Sequence, residues 1–315
     1  MEDYPKTLME LENRFSTEEE CRKYLVDLRW PSGFICIRCG GHEYWPVRDV
    51  WFQCKNCGHQ SSVKTGTIFE GSRSPLTKWF RAIWWVTSQK NGASALGLKH
   101  ILGLGSYETA WTWLHKIRRA MVRPGRDRLT GDVEVDETYI GGLEEGLRGR
   151  GVGNKTLVVI AAQMVDKRTI GRIRMKQIPD ASSECLHSFI GSAVEPGNKV
   201  ITDAWTGYNG LEGYRHKVIN ISKRKENASD LLPGVHRVAS LLKRWLMGTH
   251  QGAVSHDHLD YYLDEFTFRF NRRTSSYRGK LFYRLVEQAV QVQPAPYDSI
   301  IKHVRGLNHG KHTIR

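Results

Sequence analysis

The sequence predicts a multi-domain α/β protein in which a small cysteine-knit segment and a helical segment precede a mixed sheet. Three observations predict it. Two Cys-x-x-Cys pairs stand within residues 36–57, helical periodicity with start and stop signals fills residues 74–123, and extended, β-branched stretches begin at Asp132. At 315 residues the chain is about twice the usual single-domain length.

The elements follow in order. Residues 1–30 read as a helical entry, with Ser16-Thr17-Glu18-Glu19 as a helix start. Residues 31–70 are rich in Gly, Cys and aromatics and read as a small metal-bound unit. In residues 74–123, Ser74-Pro75 marks one helix start and Lys90-Asn91-Gly92 a turn. A second helix covers roughly Ala93 to Leu102, and Ser106 caps a third from Tyr107 to Val122. Pro124 to Arg128 reads as a linker. Strands are expected at Val133–Ile140, Thr156–Val165, Thr169–Ile178, Lys199–Thr202 and His216–Ile221, with a helix from Ala181 to Val194 and further helices from Gly234. Strands followed by interleaved helices describe a mixed α/β sheet. The expected second domain runs over residues 130–285, with a basic tail at 286–315.

Lys and Arg outnumber Asp and Glu by 47 to 33, a formal charge of +14, which points to a polyanionic partner, nucleic acid first. Forty per cent hydrophobic residues with ten Trp excludes a disordered chain. The N-terminus is acidic and lacks an apolar run, so no export signal is expected. The most apolar stretch, Trp79 to Val86, contains Arg81 and is too short to span a membrane. The expected location is the cytoplasm, where paired cysteines bind metal rather than form disulfides.

Cys36 and Cys39 are separated from Cys54 and Cys57 by fourteen residues. Gly40 and Gly41 follow the first pair and Gly58 the second, so each pair can occupy a tight turn. Two such turns supply four thiolates to one Zn²⁺ at about 2.3 Å. Four sulfurs leave no open position, so the ion's role is structural. His42 and His59 are surface residues on this reading.

On the third helix, Ala110, Trp113, Leu114, Ile117, Ala120 and Met121 recur at helical spacing. Thr109, Thr112, Lys116, Arg119 and Arg123 fall on the other side. Three helices with a basic last member suggest a helix-turn-helix unit, and Lys116, Arg119 and Arg123 are candidate DNA contacts. An ordinary helical domain with a solvated basic face is the alternative.

Asp136 lies in the first strand of the second domain and Asp203 directly after the fourth. Two carboxylates brought together repel unless a cation lies between them, so such a pair predicts metal. Solvated strand ends are the alternative.

The chain resembles the bacterial insertion-sequence transposases of the ISXO2-like group, which join a zinc ribbon to an Asp-Asp-Glu type catalytic domain. The resemblance is carried in order along the chain. It includes Trp30-Pro31-x-Gly33-x-x-Cys36-x-x-Cys39-Gly40, Gly66-Thr67-Ile68-Phe69, Pro75-Leu76-x-x-Trp79-Phe80 and Thr109-Ala110-Trp111. It continues through Val135-Asp136-Glu137-Thr138-Tyr139-Ile140-Gly141-Gly142, Asp203 with Tyr208, and His236 through Lys243. Gly248-Thr249-His250, Tyr262 to Phe266 and Arg269-Phe270-Asn271-Arg272-Arg273 complete it. The resemblance implies a ribonuclease-H-like fold, DNA strand cleavage and strand transfer, catalytic Mg²⁺ or Mn²⁺, and Asp136 and Asp203 as the first two ligands.

The third ligand departs from the wider superfamily's Glu. The group resembled varies at this position among Glu, Asn and His, with Lys seven residues on. His236 stands 33 residues after Asp203, and Lys243 seven after His236. Seven residues on a helix is 700°, so the two share a face. Glu265 is the competing third ligand, while the adjacent Glu137 is expected on the other side of its strand.

Lys243, read as catalytic with Asp136, Asp203 and His236, joins the candidate DNA contacts with Arg272 and Arg273, alongside a basic run from Arg215 to Arg244 and a tail from Ile300 to Arg315 that has no acid. The expected partners are double-stranded DNA, as terminal inverted repeats and target, and further copies of this chain. A DNA-binding regulator without chemistry, and a ribonuclease or resolvase on the same fold, are the competing functions.

Overall fold

The computed structural model describes residues 3–123, 125–141, 155–220, 228–252 and 254–302. The chain divides into two compact units, Met1–Pro124 with Thr274–Arg315, and Gly125–Arg273.

The first unit opens with α1 (Leu8–Arg14) and α2 (Glu18–Arg29). Thr17 and Glu20 form a reciprocal capping box at the start of α2, satisfying two otherwise unpaired amides. A three-stranded antiparallel sheet follows, β1 (Tyr44–Val47), β2 (Trp51–Cys54) and β3 (Gln60–Ser62). Helices α3 (Leu76–Ser88), α4 (Ala95–Leu102) and α5 (Tyr107–Ala120) then form. Ser106 caps α5 as expected, but Ser74 does not cap α3: Pro75 occupies the cap position and no side chain bonds there. Trp79 of α3 stacks on Trp113 of α5 with ring centroids 3.9 Å apart, and Phe69 meets Trp79 edge-on.

The second unit is built on a five-stranded sheet of β4 (Asp132–Ile140), β5 (Thr156–Met164), β6 (Ile170–Ile178), β7 (Lys199–Asp203) and β8 (Arg215–Ile219). Its spatial order is β6-β5-β4-β7-β8. The three long strands are antiparallel hairpin neighbours, while β7 and β8 join in parallel. The crossover into β7 is α6 (Ser183–Ala193), and the chain continues through α7 (Ala228–Leu231), α8 (Pro233–His250) and α9 (Leu259–Asn271). This is the mixed α/β sheet expected of a ribonuclease-H-like fold.

The pleat divides β4 between two cores. Val133 and Val135 pack with Leu186, Phe189 and Ile190 of α6. Residues of even number in β4 face the opposite side, where Val158, Ile160 and Ala162 of β5 meet Val235, Val238 and Leu242 of α8 and Leu263 and Phe266 of α9. The end of α9 is fastened to the edge strand: the Asn271 side chain accepts the Ile173 amide at 2.7 Å and donates to its carbonyl at 3.1 Å.

The last described helices, α10 (Arg278–Ala289) and α11 (Tyr297–Ile301), return to the first unit. The expectation ran the second domain to residue 285, whereas its compact unit ends at Arg273. The reason is apolar: Phe282 of α10 packs against Phe15, Phe80 and Trp84.

Candidate metal and nucleic-acid sites

In the first unit, two matching turns bring four cysteines together. Gly40 N donates to Cys36 O and Gly58 N to Cys54 O, both at 2.9 Å. Both glycines have left-handed backbone, φ 72° and 68°, where an L side chain is strained. The Cys36 and Cys57 sulfurs lie 3.7 Å apart and those of Cys39 and Cys54 3.6 Å. A tetrahedron with bonds of about 2.3 Å to its centre has edges of about 3.8 Å. The donor set therefore fits zinc. The inner face of β1 and β2 rests on Trp30 and Phe34 through Phe52 and Tyr44, giving this small unit an aromatic floor.

The outer face was missed from the sequence. Trp45, Val47, Trp51 and Gln53 share it by register, with Gln60 beside Gln53. Trp45 is 60% exposed and Trp51 41%, and the Lys55 ammonium sits 4.4 Å from the Trp45 ring centroid. The short alternation in β1 and β2 was the available signal.

In the second unit, β4 and β7 pair with Asp132 opposite Lys199 and Glu134 opposite Ile201. Continued by two residues, that register sets Asp136 level with Asp203 on the α8 side of the sheet. One oxygen of each is fixed by local backbone: Asp136 accepts from Glu137 N at 2.9 Å and Asp203 from Trp205 N at 3.0 Å. His236, in the first turn of α8, places Nε2 3.8 Å from the second Asp136 oxygen. That nitrogen is buried and has no hydrogen-bond partner among the described residues. Burial pushes the His236 pKa below its usual value, and the Asp203 carboxylate pulls it the other way.

Glu134, which the sequence did not single out, sets the position of α8. Its carboxylate accepts from Gly234 N at 2.7 Å and Val235 N at 3.0 Å, a charged cap on unpaired first-turn amides. Glu137 points to the other face as expected, where it accepts the buried Tyr208 hydroxyl at 2.7 Å. Glu265 lies away from this arrangement in its bonding: it is 1% exposed and ion-paired with Arg269 at 2.7 Å.

Two carboxylates and an unpartnered imidazole nitrogen on one face form a donor set that fits a hard divalent cation. The group is more open than the four sulfurs. Those all lie within 4.8 Å of one another, and among the described residues no other group of three His, Cys, Asp or Glu does so. An open set suits a cation that shares its shell with a substrate phosphate.

The family description of the ISXO2-like transposase domain matches residues 128–271, and that of the transposase zinc-ribbon domain matches residues 16–60. The chain carries the two domains of an ISXO2-like transposase, zinc ribbon and transposase domain. This transposase is 27% identical over 274 residues to a protein in transposable element ISH50 of Halobacterium salinarum, covering 81% of this chain and 91% of the relative. Among solved structures it is similar to the Mos1 strand transfer complex at 13% identity, covering 77% of this chain and 82% of that one, with a TM-score of 0.27. No described helix is long and apolar enough to cross a membrane.

The candidate DNA contacts of the transposase differ in their surroundings, and only Lys116 is buried. Lys116 is 8% exposed and donates to Glu70 O at 3.3 Å, and burial holds its amine below the usual pKa. Its face of α5, with Thr109 and Thr112, lines a cavity of about 660 Å³ whose other walls include Glu70, Pro296 and Tyr297. Pro296 and Tyr297 of the returning C-terminal segment thus share an open cavity with this face of α5. Arg119 is half-buried on the same helix, and Arg123 is exposed beyond its end. Arg273 donates to the carbonyls of Gly171 at 3.1 Å, Phe270 at 2.9 Å and Ile170, tying α9 to β6. Arg272 lies 4.1 Å over the Phe268 ring centroid. Lys243 remains exposed on α8. The basic residues 223–225 and the tail beyond residue 302 lie outside the described residues.

Proposed function

We propose that this transposase cuts and joins DNA strands at a divalent-cation site formed by Asp136, Asp203 and His236. The observation that supports the reading is His236 Nε2 3.8 Å from Asp136, with Asp203 two residues past the last β4–β7 pair, Glu134 opposite Ile201, as Asp136 is on its own strand. The backbone bonds at Glu137 N and Trp205 N hold one oxygen of each aspartate and so orient the other. The Glu134-capped start of α8 seats His236 beside Asp136, and burial, which lowers its pKa, favours the neutral ring that a metal ligand needs. Bound there, Mg²⁺ or Mn²⁺ would activate a water or a 3′-hydroxyl and stabilise the leaving oxygen.

Cys36, Cys39, Cys54 and Cys57 hold a structural Zn²⁺ on this account. Double-stranded DNA, as the element's terminal repeats and the target, is the substrate, and further copies of the chain assemble on it. The protein works in the cytoplasm, on the nucleoid. The open ribbon face supports DNA contact in the first unit, since it combines exposed Trp45 and Trp51 with Gln53, Gln60 and Lys55. Lys243, exposed on α8 seven residues beyond His236, is the candidate DNA contact carried by that helix.

The test compares binding with cleavage. Asp136→Ala and Asp203→Ala should each retard element-end DNA in a gel as wild type does. Each should lose at least about 10²–10³ in Mg²⁺- or Mn²⁺-dependent cleavage. Wild-type cleavage by either variant contradicts the assignment.

A further inference from the structure

The strands that carry the two aspartates part before they reach them. Among the described residues, β4 and β7 pair as far as Glu134 and Ile201, two residues short of Asp136 and Asp203. Past that point each strand is held from its outer side, Asp136 opposite Ile160 of β5 and Asp203 opposite Ile219 of β8. The gap between the two carboxylates is thus left to side chains.

A side-chain bond crosses that gap on the α6 face of the sheet. The fully buried Tyr208 donates its hydroxyl to Glu137 Oε2 at 2.7 Å. Burial first, and then the Glu137 charge, hold this phenol well above its ordinary pKa, so it stays a donor. Each end of the bond adjoins an amide that orients one aspartate. Glu137 N donates to Asp136 Oδ1 at 2.9 Å. Three residues before Tyr208, Trp205 N donates to Asp203 Oδ1 at 3.0 Å. The turn from Trp205 to Tyr208 has little freedom. Trp205 Nε1 donates to Ala181 O at 2.8 Å. A Cβ on Gly207 would collide with that same carbonyl and stand 3.0 Å from Leu186 Cδ1 of α6. Tyr208 therefore reaches β4 from a fixed base.

We propose that the Tyr208–Glu137 bond is a brace that sets the spacing of the Asp136 and Asp203 carboxylates, which makes Tyr208 and Glu137 positioning residues for the divalent cation. Their role rests on the cation site proposed above. Removing a group that orients a metal's ligands without touching the metal typically costs about 10–100-fold in its affinity. The brace thus acts on cation affinity, whereas a residue that only supports the fold lowers cleavage alike at every cation concentration.

The first measurement is Mn²⁺ binding to the full-length protein without DNA, followed by loss of the free ion's electron paramagnetic resonance signal. Tyr208→Phe keeps the ring, removes the hydroxyl and should weaken Mn²⁺ about 10–100-fold. Glu137→Leu should match it, while Glu137→Gln, whose amide oxygen still accepts the hydroxyl, should bind near wild type. Tyr208→Phe combined with Glu137→Leu should be no weaker than either alone, as one shared bond requires. In the second measurement, cleavage of element-end DNA is titrated with Mn²⁺. Tyr208→Phe should raise the half-maximal concentration, and saturating Mn²⁺ should restore most of the wild-type rate. Wild-type Mn²⁺ affinity in Tyr208→Phe overturns the brace, as does a cleavage loss that saturating Mn²⁺ leaves untouched. Should Tyr208→Phe fail to fold, equal affinities in Glu137→Gln and Glu137→Leu overturn it instead. Absent binding by wild type, or binding unchanged in Asp136→Ala, overturns the cation site and the brace with it. Binding lost in Asp136→Ala yet untouched in Tyr208→Phe overturns the brace alone.

Discussion

The Glu134 carboxylate accepts the Gly234 amide at 2.7 Å, and this bond sets where α8 begins. A Cβ at residue 234 would stand 2.8 Å from the same carboxylate oxygen and 2.4 Å from Met164 Sδ. Both approaches are too close, so a side chain there makes the Met164 thioether and the Glu134 carboxylate shift. Gly234→Ala should lower the melting temperature, by about 1–3 kcal/mol of stability, as overpacking does. Because His236 follows two residues later, cleavage should fall further than stability alone explains. Thermal melts and cleavage rates at a temperature where the variant is folded check this. Wild-type values in both would contradict it.

Metal analysis of the purified protein should find about one equivalent of zinc. Cys39→Ser should lose it, together with protection of residues 31–70 from protease, because a small unit with a thin aromatic floor depends on its metal for folding energy. Well-folded, zinc-free wild-type protein would refute the site.

Lys116 and Arg273 should matter for stability and not for DNA. Each gives its charge to backbone carbonyls inside its own unit. Lys116→Met and Arg273→Ala should each lower the melting temperature, with a loss of about 1–2 kcal/mol for the Arg273 bonds. The slope of DNA affinity against salt should stay as in wild type. A shallower slope in either variant would restore that residue to the DNA surface.

Trp45→Ala combined with Trp51→Ala should weaken end binding about tenfold, the equivalent of about 1.4 kcal/mol, with zinc content unchanged. Both rings lie on the open side of the ribbon, away from Trp30 and Phe34. Unaltered affinity would leave that face without a role in DNA contact.

The strands and helices were legible because their periods differ cleanly: β4, β5, β6 and α6 fall within two residues of where alternation and capping set them. Asp136 and Asp203 were legible as strand-borne carboxylates. Glu134 was not, because alternation in β4 gives its face but not which helix end returns to it. Lys116 was misread for a related reason. Amphipathic spacing cannot distinguish a lysine facing water from one whose amine reaches a backbone carbonyl, here that of Glu70, 46 residues upstream. The same limit hid Arg273, whose partners in β6 are 102 and 103 residues away.

The choice between His236 and Glu265 as third ligand tests the central claim most directly. Removing Glu265 alone would strand the half-buried Arg269 charge, so the fair comparison replaces the pair, Glu265→Met with Arg269→Met, against His236→Ala. Both are first shown to be folded by thermal melt, then assayed for cleavage of element-end DNA in Mn²⁺ and in Mg²⁺. The account predicts that the paired variant cuts at near the wild-type rate and that His236→Ala is nearly inactive in both metals. His236→Glu should retain activity with a shift toward Mg²⁺, since carboxylate is the harder ligand. Normal cutting by His236→Ala, with none by the folded paired variant, would contradict the account.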